Sequence, residues 1–368
     1  MTTTGPTGVG IIGAGVISKE YLENLTTFPD VKVVAIGDIE TDRAKAQAEK
    51  YDIPVSGDAD AVLNRDDIDV VVNLTIPAVH VQIAKDILSA GKHAYGEKPL
   101  TLDLAAGKEL LADADKRGLR VGCAPDTFLG SGIQTALRLI KEGAIGEPQS
   151  ALTSMQSPGP ESWHPSPEFL FAKGGGPVLD IGPYYFTCLV QLLVPIARVG
   201  AVGSTAKHER VIGSGPKAGT RFPVEVPTNV FALAEFATGN SATMIMSFDS
   251  PLPRAGIVEI TGTEATLKVP DPNTFTGTVQ LYPLGGKDWE DRNTMGTTCS
   301  RGIGVLDMVQ AIREDRPHRA SGELALHVFD AMASTEAASG DRDFRTLTTT
   351  CTAPEPLGAA WDPQKASA

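Results

Sequence analysis

Short apolar runs alternate with amphipathic stretches through the first third of the chain. Val9-Gly10-Ile11-Ile12 is apolar throughout, the pattern of a parallel strand buried on both faces. Gly13-Ala14-Gly15 turns the chain, and Val16 to Leu25 reads as a helix. The same alternation predicts strands at Val31 to Ile36, Asp69 to Leu74, His93 to Tyr95 and Leu119 to Cys123. Between them it predicts helices over Asp42 to Tyr51, Val79 to Ala90 and Leu104 to Arg117. Asp42 lies in an acidic first turn, and Gly91 and Gly118 stop two of these helices. Strands and helices alternating at this length predict a doubly wound parallel sheet.

After about Ala124 the rhythm changes. One further helix is expected at Ile133 to Glu142, followed by loops rich in Pro and Gly at Ser157 to Pro167 and Lys173 to Pro177. Strand patterns then dominate, at Val230 to Ala237, Ser241 to Phe248, Gly256 to Thr261 and Thr278 to Tyr282. Helices return at Tyr184 to Leu193 and Ile303 to Arg313. The expected fold class is α/β, with an α+β second domain on a large, mainly antiparallel open sheet. A chain of 368 residues exceeds one comfortable core. The expected division is 1–124 for dinucleotide binding, 125–353 for substrate binding and oligomerisation, and 354–368 as a poorly ordered tail.

Charge and cysteine usage narrow the class. A formal net charge of -13 weighs against a nucleic-acid partner and against an anionic membrane surface. No apolar run is long enough to span a bilayer, and Met1 to Gly8 lacks the basic start and apolar centre of a secretory signal. Cys123, Cys188, Cys299 and Cys351 are far apart with no CxxC pair. Reduced thiols in a cytoplasmic protein, without a metal site, are the expectation.

Two places carry chemistry. A glycine turn between a first strand and a first helix lets backbone N–H groups approach a pyrophosphate at the helix N-terminus. Gly13 and Gly15 fit this pattern, with the small Ser18 at the third glycine position. Asp38, at the end of the second strand, can accept hydrogen bonds from ribose hydroxyls and would repel a 2′-phosphate. NAD is therefore expected over NADP, although Arg43 nearby could hold a phosphate. Downstream, Gly96-Glu97-Lys98-Pro99 follows the fourth strand, and an amine at the carboxyl end of a parallel strand sits where ligands bind.

With these residues in view, the chain resembles the Gfo/Idh/MocA oxidoreductases, a family named for glucose-fructose oxidoreductase, inositol dehydrogenase and a rhizopine-catabolism protein. The resemblance rests on Val9 to Ile17, Val71 to His80, Ala90-Gly91-Lys92-His93 leading to Glu97-Lys98-Pro99-Leu100, and Gly174 to Tyr184. It implies a Rossmann domain followed by a substrate domain. It also implies cofactor contacts from Val16, Ile17, Thr75, Ile76, Pro77, His80, Glu97 and Lys98. A catalytic trio of Lys98, Asp180 and Tyr184 follows from it as well. Tyr184 departs from the histidine of many members, as inositol dehydrogenases have, and matches glucose-fructose oxidoreductase-like ones. A second departure, Ala124-Pro125-Asp126-Thr127, stands where many members have an Asn-Arg-type sequence.

The implied reaction passes a hydride between nicotinamide and a secondary hydroxyl or ketone of a sugar, cyclitol or related polyol. It needs a base and a nearby positive charge. Tyr184 is the candidate base, with the Lys98 ammonium favouring the phenolate; Lys98 is itself an alternative proton carrier. Asp180, one turn before Tyr184, is assigned to holding Lys98 or a substrate hydroxyl, with a helix cap as the plainer role. Trp163 and His164 are expected as a pocket wall, because aromatic rings stack on sugar faces. Asp126 and Thr127, just past the fifth strand, are further candidates for facing substrate. A glycosidase that oxidises the ring transiently with held NAD, and a non-catalytic NAD-binding regulator, are the competing readings. A homo-oligomer, dimer or tetramer, is expected because the second domain's sheet needs cover on both faces.

Overall fold

The computed structural model describes residues 5–296 and 300–367. The start of the Met1 to Gly8 segment and the Cys299 thiol lie outside the described residues. Two compact units emerge: Met1–Gly130 with Gly296–Leu326 and Pro354–Ala368, and Ser131–Met295 with His327–Ala353.

The first unit carries β1 (Thr7–Ile12), α1 (Ser18–Leu25), β2 (Val31–Gly37), α2 (Thr41–Lys50), β3 (Val55–Gly57), α3 (Asp60–Leu63), β4 (Val70–Asn73), α4 (His80–Ser89), β5 (His93–Gly96), α5 (Leu104–Arg117) and β6 (Val121–Cys123). Its six strands run in the order β3-β2-β1-β4-β5-β6, and every neighbouring pair is parallel. Val9, Ile11 and Val70 to Val72 have no exposed surface, as continuous apolar strands between two helical layers require. β3 and α3 are three and four residues long, too short to display a period in the sequence.

The second unit contains α6 (Ser131–Lys141), β7 (Pro148–Gln156), α7 (Gly176–Asp180), α8 (Gly182–Leu193), β8 (Ile196–Ser204), β9 (Glu209–Val211), β10 (Arg221–Pro223), β11 (Asn229–Phe236), β12 (Ser241–Ser247), β13 (Arg254–Gly262), β14 (Ala265–Val269), β15 (Val279–Pro283), β16 (Glu290–Arg292) and β17 (Arg345–Thr346). Nine strands form one sheet, β16-β15-β14-β13-β7-β12-β11-β8-β17, while β9 and β10 pair separately. Among the described residues, only β12 and β7 run parallel in the large sheet. Strand alternation sets its two faces: Val230, Ala232, Ala234 and Phe236 of β11 are buried, while Phe231 and Leu233 are exposed. Every residue of α8 is buried.

Late in the chain come α9 (Ile303–Arg313) and α10 (Gly322–Asp341), and the division between units falls within α10. The sequence division placed 125–353 in one domain, whereas residues up to Gly130 and the segment Gly296–Leu326 cluster with the first unit. The terminal segment, expected as a poorly ordered tail, is docked on that unit instead. Trp361 Nε1 donates to Gln310 Oε1 at 2.9 Å, the Ser367 N–H reaches Asp30 Oδ2 at 3.0 Å, and Leu357 is buried. Arg313 of α9 joins the same knot through Asp30 Oδ1 at 2.9 Å.

Asp126 corrects a second expectation. It was read as facing substrate, yet its side chain is fully buried and holds the start of α9. Oδ2 accepts from the Gly302 N–H at 2.9 Å and the Gly304 N–H at 3.1 Å, satisfying donors that a helix end leaves open. Thr127, also buried, begins a single 3-10 turn, Thr127–Leu129, so neither residue presents itself to a ligand.

Burial raises the Asp126 carboxyl to about 6, with Arg301 and the two amides opposing and the Glu97 charge reinforcing it. Folded protein thus keeps this proton above the ordinary value of 3.8, where the unfolded chain releases it. The contribution to stability is full below about pH 4 and is lost as pH rises through about 6, by roughly 3 kcal/mol at most. Asp126→Asn keeps an acceptor for both amides without a titrating group. In urea unfolding across pH 4 to 7, the wild type should lose stability relative to this variant as pH rises; a constant difference would contradict the assignment.

Candidate active site

Because β2, β1, β4 and β5 run parallel, their carboxyl ends open at one edge of the first sheet, where the predicted cofactor residues collect. Gly13 follows β1 at φ 108°, and a Cβ there would lie 2.6 Å from the Leu74 carbonyl carbon. No side chain fits, so the turn needs glycine. The Gly13 N–H also reaches Gly37 O at 2.8 Å, tying the turn to the end of β2. Gly15 stands in open space, Val16 is exposed and Ile17 partly so. Ser18, at the third glycine position, is buried, and its hydroxyl closes the turn by donating to Gly15 O at 2.7 Å.

Asp38 braces this turn. Its Oδ2 accepts from the Ala14 N–H at 2.6 Å and Oδ1 from the Glu40 N–H at 2.8 Å. Each oxygen retains capacity for a second donor such as a ribose hydroxyl. Arg43 is exposed on α2.

Beyond β4, Asn73 Oδ1 accepts from the Thr75 hydroxyl at 2.6 Å, and Nδ2 donates to His80 O at 3.0 Å. Ile76 and Pro77 are exposed where the chain enters the short turn Pro77–Val79. His80, expected among the cofactor contacts, has its ring turned inward and buried. Nδ1 lies 2.7 Å from Pro99 O and Nε2 3.0 Å from Thr75 O, so the ring ties the Thr75 loop to the loop bearing Lys98.

Glu97 is buried beneath that second loop. Oε1 accepts from the Tyr21 hydroxyl at 2.9 Å and faces Arg301 Nη1 at 3.5 Å, while Oε2 accepts from the Lys98 N–H at 3.0 Å. It orders the loop that carries Lys98, whose side chain is partly buried. Burial, then the Glu97 charge, push the Tyr21 phenol and the Cys123 thiol well up, and the Lys98 ammonium opposes the shift at Cys123.

In the second unit, Asp180 ends α7 and Tyr184 lies in the first turn of α8, with Ile181 joining the two helices. The one-turn relation of Asp180 to Tyr184 was conditional on a helix already running at Asp180; here the helix is interrupted at Ile181, whose carbonyl accepts from the Tyr184 N–H at 3.1 Å. Tyr184 is buried and Asp180 partly so. Trp163 is 68% exposed and meets His164 edge-on at 5.6 Å, and His164 meets Phe169 at 5.5 Å. Phe169 was not singled out in the sequence, where it stands in a Pro-rich loop without a periodic signal. Among the described residues, no three His, Cys, Asp or Glu side chains cluster as a metal ion would need, and no helix is long and apolar enough to cross a membrane.

Comparison with known proteins agrees with this architecture. A family model described as an oxidoreductase family with an NAD-binding Rossmann fold matches residues 7–124, and a GFO/IDH/MocA C-terminal domain matches 133–268. The chain is 34% identical over 230 residues to a dTDP-3,4-didehydro-2,6-dideoxy-alpha-D-glucose 3-reductase of Actinomadura kijaniata, covering 59% of this chain and 65% of that one. It is 26% identical over 315 residues to trans-1,2-dihydrobenzene-1,2-diol dehydrogenase of Sus scrofa, covering 83% of this chain and 87% of that one. A solved levoglucosan dehydrogenase in complex with NADH and L-sorbose shares the fold at a TM-score of 0.80 and 20% identity, covering 93% of this chain and 99% of that one. The chain spans about half to two thirds of the length of several curated relatives that it matches. With both domains matched in order and the glycine turn, Asp38 and Lys98 in place, the chain belongs to the Gfo/Idh/MocA family of oxidoreductases.

Proposed function

We propose that the protein is an NAD-dependent dehydrogenase or reductase acting on a secondary hydroxyl or ketone of a sugar, cyclitol or related polyol. The observation that carries this reading is the gathering of Gly13, Asp38, Thr75 and the Glu97-Lys98 loop at one sheet edge. These residues fit a dinucleotide: an open turn at Gly15 for pyrophosphate, spare acceptor capacity on Asp38 for ribose hydroxyls, and exposed Val16 and Ile76 as apolar rims. The Asp38 carboxylate favours NAD by repelling a 2′-phosphate.

When bound, the nicotinamide supplies the two-electron acceptor or donor for a substrate carbon. The chain supplies charge and proton handling. Lys98 Nζ stabilises the developing alkoxide, Tyr184 takes the hydroxyl proton in oxidation and returns it in reduction, and Asp180 orients Lys98 or a substrate hydroxyl. Trp163 and His164 form a wall for the substrate ring. The names of the relatives, a deoxysugar reductase and a diol dehydrogenase, support a hydroxylated ring as the substrate class. Lys98→Ala should lower turnover by roughly 10²–10⁴-fold while NAD still binds, as followed by NADH absorbance and by cofactor titration. Turnover within a few-fold of wild type would remove Lys98 from its role.

The same reading includes a homo-oligomer, dimer or tetramer. Phe231 and Leu233 of β11 are 49% and 52% exposed, beside Val202 of β8 and, across β12, Leu152 of β7. An apolar strip of this kind on an open sheet suits burial against a second copy. Leu233→Asp should shift the protein toward monomer in analytical ultracentrifugation with secondary structure retained; an unchanged mass would exclude this face as the interface.

A further inference from the structure

Beneath the Trp163–His164 loop lies a buried charge that the proposed chemistry does not use. Arg210 sits on β9 with a side chain only 1% exposed. Its Nη1 donates to Glu161 Oε1 at 2.5 Å and Pro158 O at 3.2 Å, both on the loop. Its Nη2 donates to Phe248 O at 3.0 Å and to Asp249 Oδ1, just past the end of β12. One guanidinium thus fastens the loop to the frame of the second unit.

Its surroundings are shaped to admit it. The guanidinium carbon lies 4.8 Å from the centroid of the Phe171 ring, and Asp249 Oδ2 accepts from the Thr228 hydroxyl at 2.6 Å. Gly159 has φ 109°, and a Cβ there would come within 2.6 Å of Arg210 Nη1 and 2.3 Å of Glu161 Oε2. The Gly213 N–H holds Glu161 O at 2.7 Å from the side of the β9–β10 hairpin. A buried ion cluster is weak support for stability, because desolvation offsets its attraction. What a planar fork adds is geometry, fixing two segments at defined angles.

The fastened segment leads directly into the aromatic residues. Pro160 O, between Pro158 and Glu161, accepts from the N–H groups of Trp163 at 3.2 Å and His164 at 2.8 Å. Above this pinned turn, Trp163 and Phe169 remain 68% and 61% exposed, with His164 between them. Exposed rings on a fixed base form a recognition platform: an aromatic face takes the C–H face of a sugar ring, and an imidazole takes its hydroxyls.

We infer that Arg210 is a positioning residue for a sugar-binding wall made of Trp163, His164 and Phe169. This rests on the sugar or polyol reading above, and the experiment separates the two. In the full-length enzyme, kcat, KM and the Kd for NAD are measured for Trp163→Ala, Arg210→Lys and the double variant, with calorimetric binding of aldoses, inositols and anhydrosugars alongside. Arg210→Lys keeps the charge and loses the fork; if it fails to fold, Glu161→Gln, which keeps an acceptor but breaks the charge pair, replaces it. Each single variant should raise KM about tenfold with kcat within threefold and the Kd for NAD unchanged. The double variant should be no worse than Trp163→Ala, because Arg210 acts only through the wall. Additive losses, or a rise confined to the Kd for NAD, would overturn the positioning role. Sugar binding that weakens in the variants without turnover in the wild type would keep the wall and sink the dehydrogenase. Sugar binding at wild-type affinity in Trp163→Ala, or none in any form, would overturn the wall.

Discussion

Parallel pairing of β2, β1, β4 and β5 is the constraint on which the candidate site depends. Strands that run the same way deliver their carboxyl ends to one edge, so four separate sequence segments meet without any long loop to carry them. The close approach at Gly13 shows how tightly this is set: the turn after β1 abuts the Leu74 backbone where no Cβ fits. The burial of Val70 to Val72 on both sheet faces then makes the register expensive to change. Once the strand ends are fixed, short bonds finish the site. Asp38 holds the glycine turn, Glu97 holds the Lys98 backbone, and the His80 ring ties the two flanking loops together.

The first unit was legible in the sequence because its strands are continuous apolar runs and its helices end in recognisable stops. Features that depend on distant partners were not. Asp126 looked like a ligand-facing carboxylate at a strand end, and its partners, Gly302 and Gly304, lie 176 and 178 residues away. The terminal segment reads as polar and Pro-rich, yet Trp361 and Ser367 find Gln310 and Asp30 on elements that no local pattern connects to it. β7 escaped notice because Pro148–Gln156 carries Ser, Thr and Gln in place of a clean alternation, and α10 because its Ala, Ser and Gly give little periodic contrast. His80 was expected beside the cofactor or on a surface helix, and no local pattern signalled that its ring faces two backbone carbonyls.

The second unit follows a different logic. Beside its large mixed sheet, the residues proposed for chemistry stand at helix ends and in a loop: Asp180 closes α7, Tyr184 lies in the first turn of α8, and Trp163 and His164 are on a loop. Such segments lack ladder hydrogen bonds and need other restraints. Arg210 is one, and the Pro158-Gly159-Pro160 sequence was the visible trace of it, a glycine held between prolines where a guanidinium passes.

The reaction proposed for this chain is hydride transfer to or from a hydroxylated ring. The most direct measurement is the near-ultraviolet absorbance of NADH with purified protein, NAD or NADP, and a panel of aldoses, inositols, glycosides and anhydrosugars, run also in reverse with the matching ketones. The expected result is a change in NADH with at least one compound bearing a secondary hydroxyl or its ketone, and a preference for NAD over NADP. Silence in both directions with both cofactors, from protein shown to bind NAD, would contradict it.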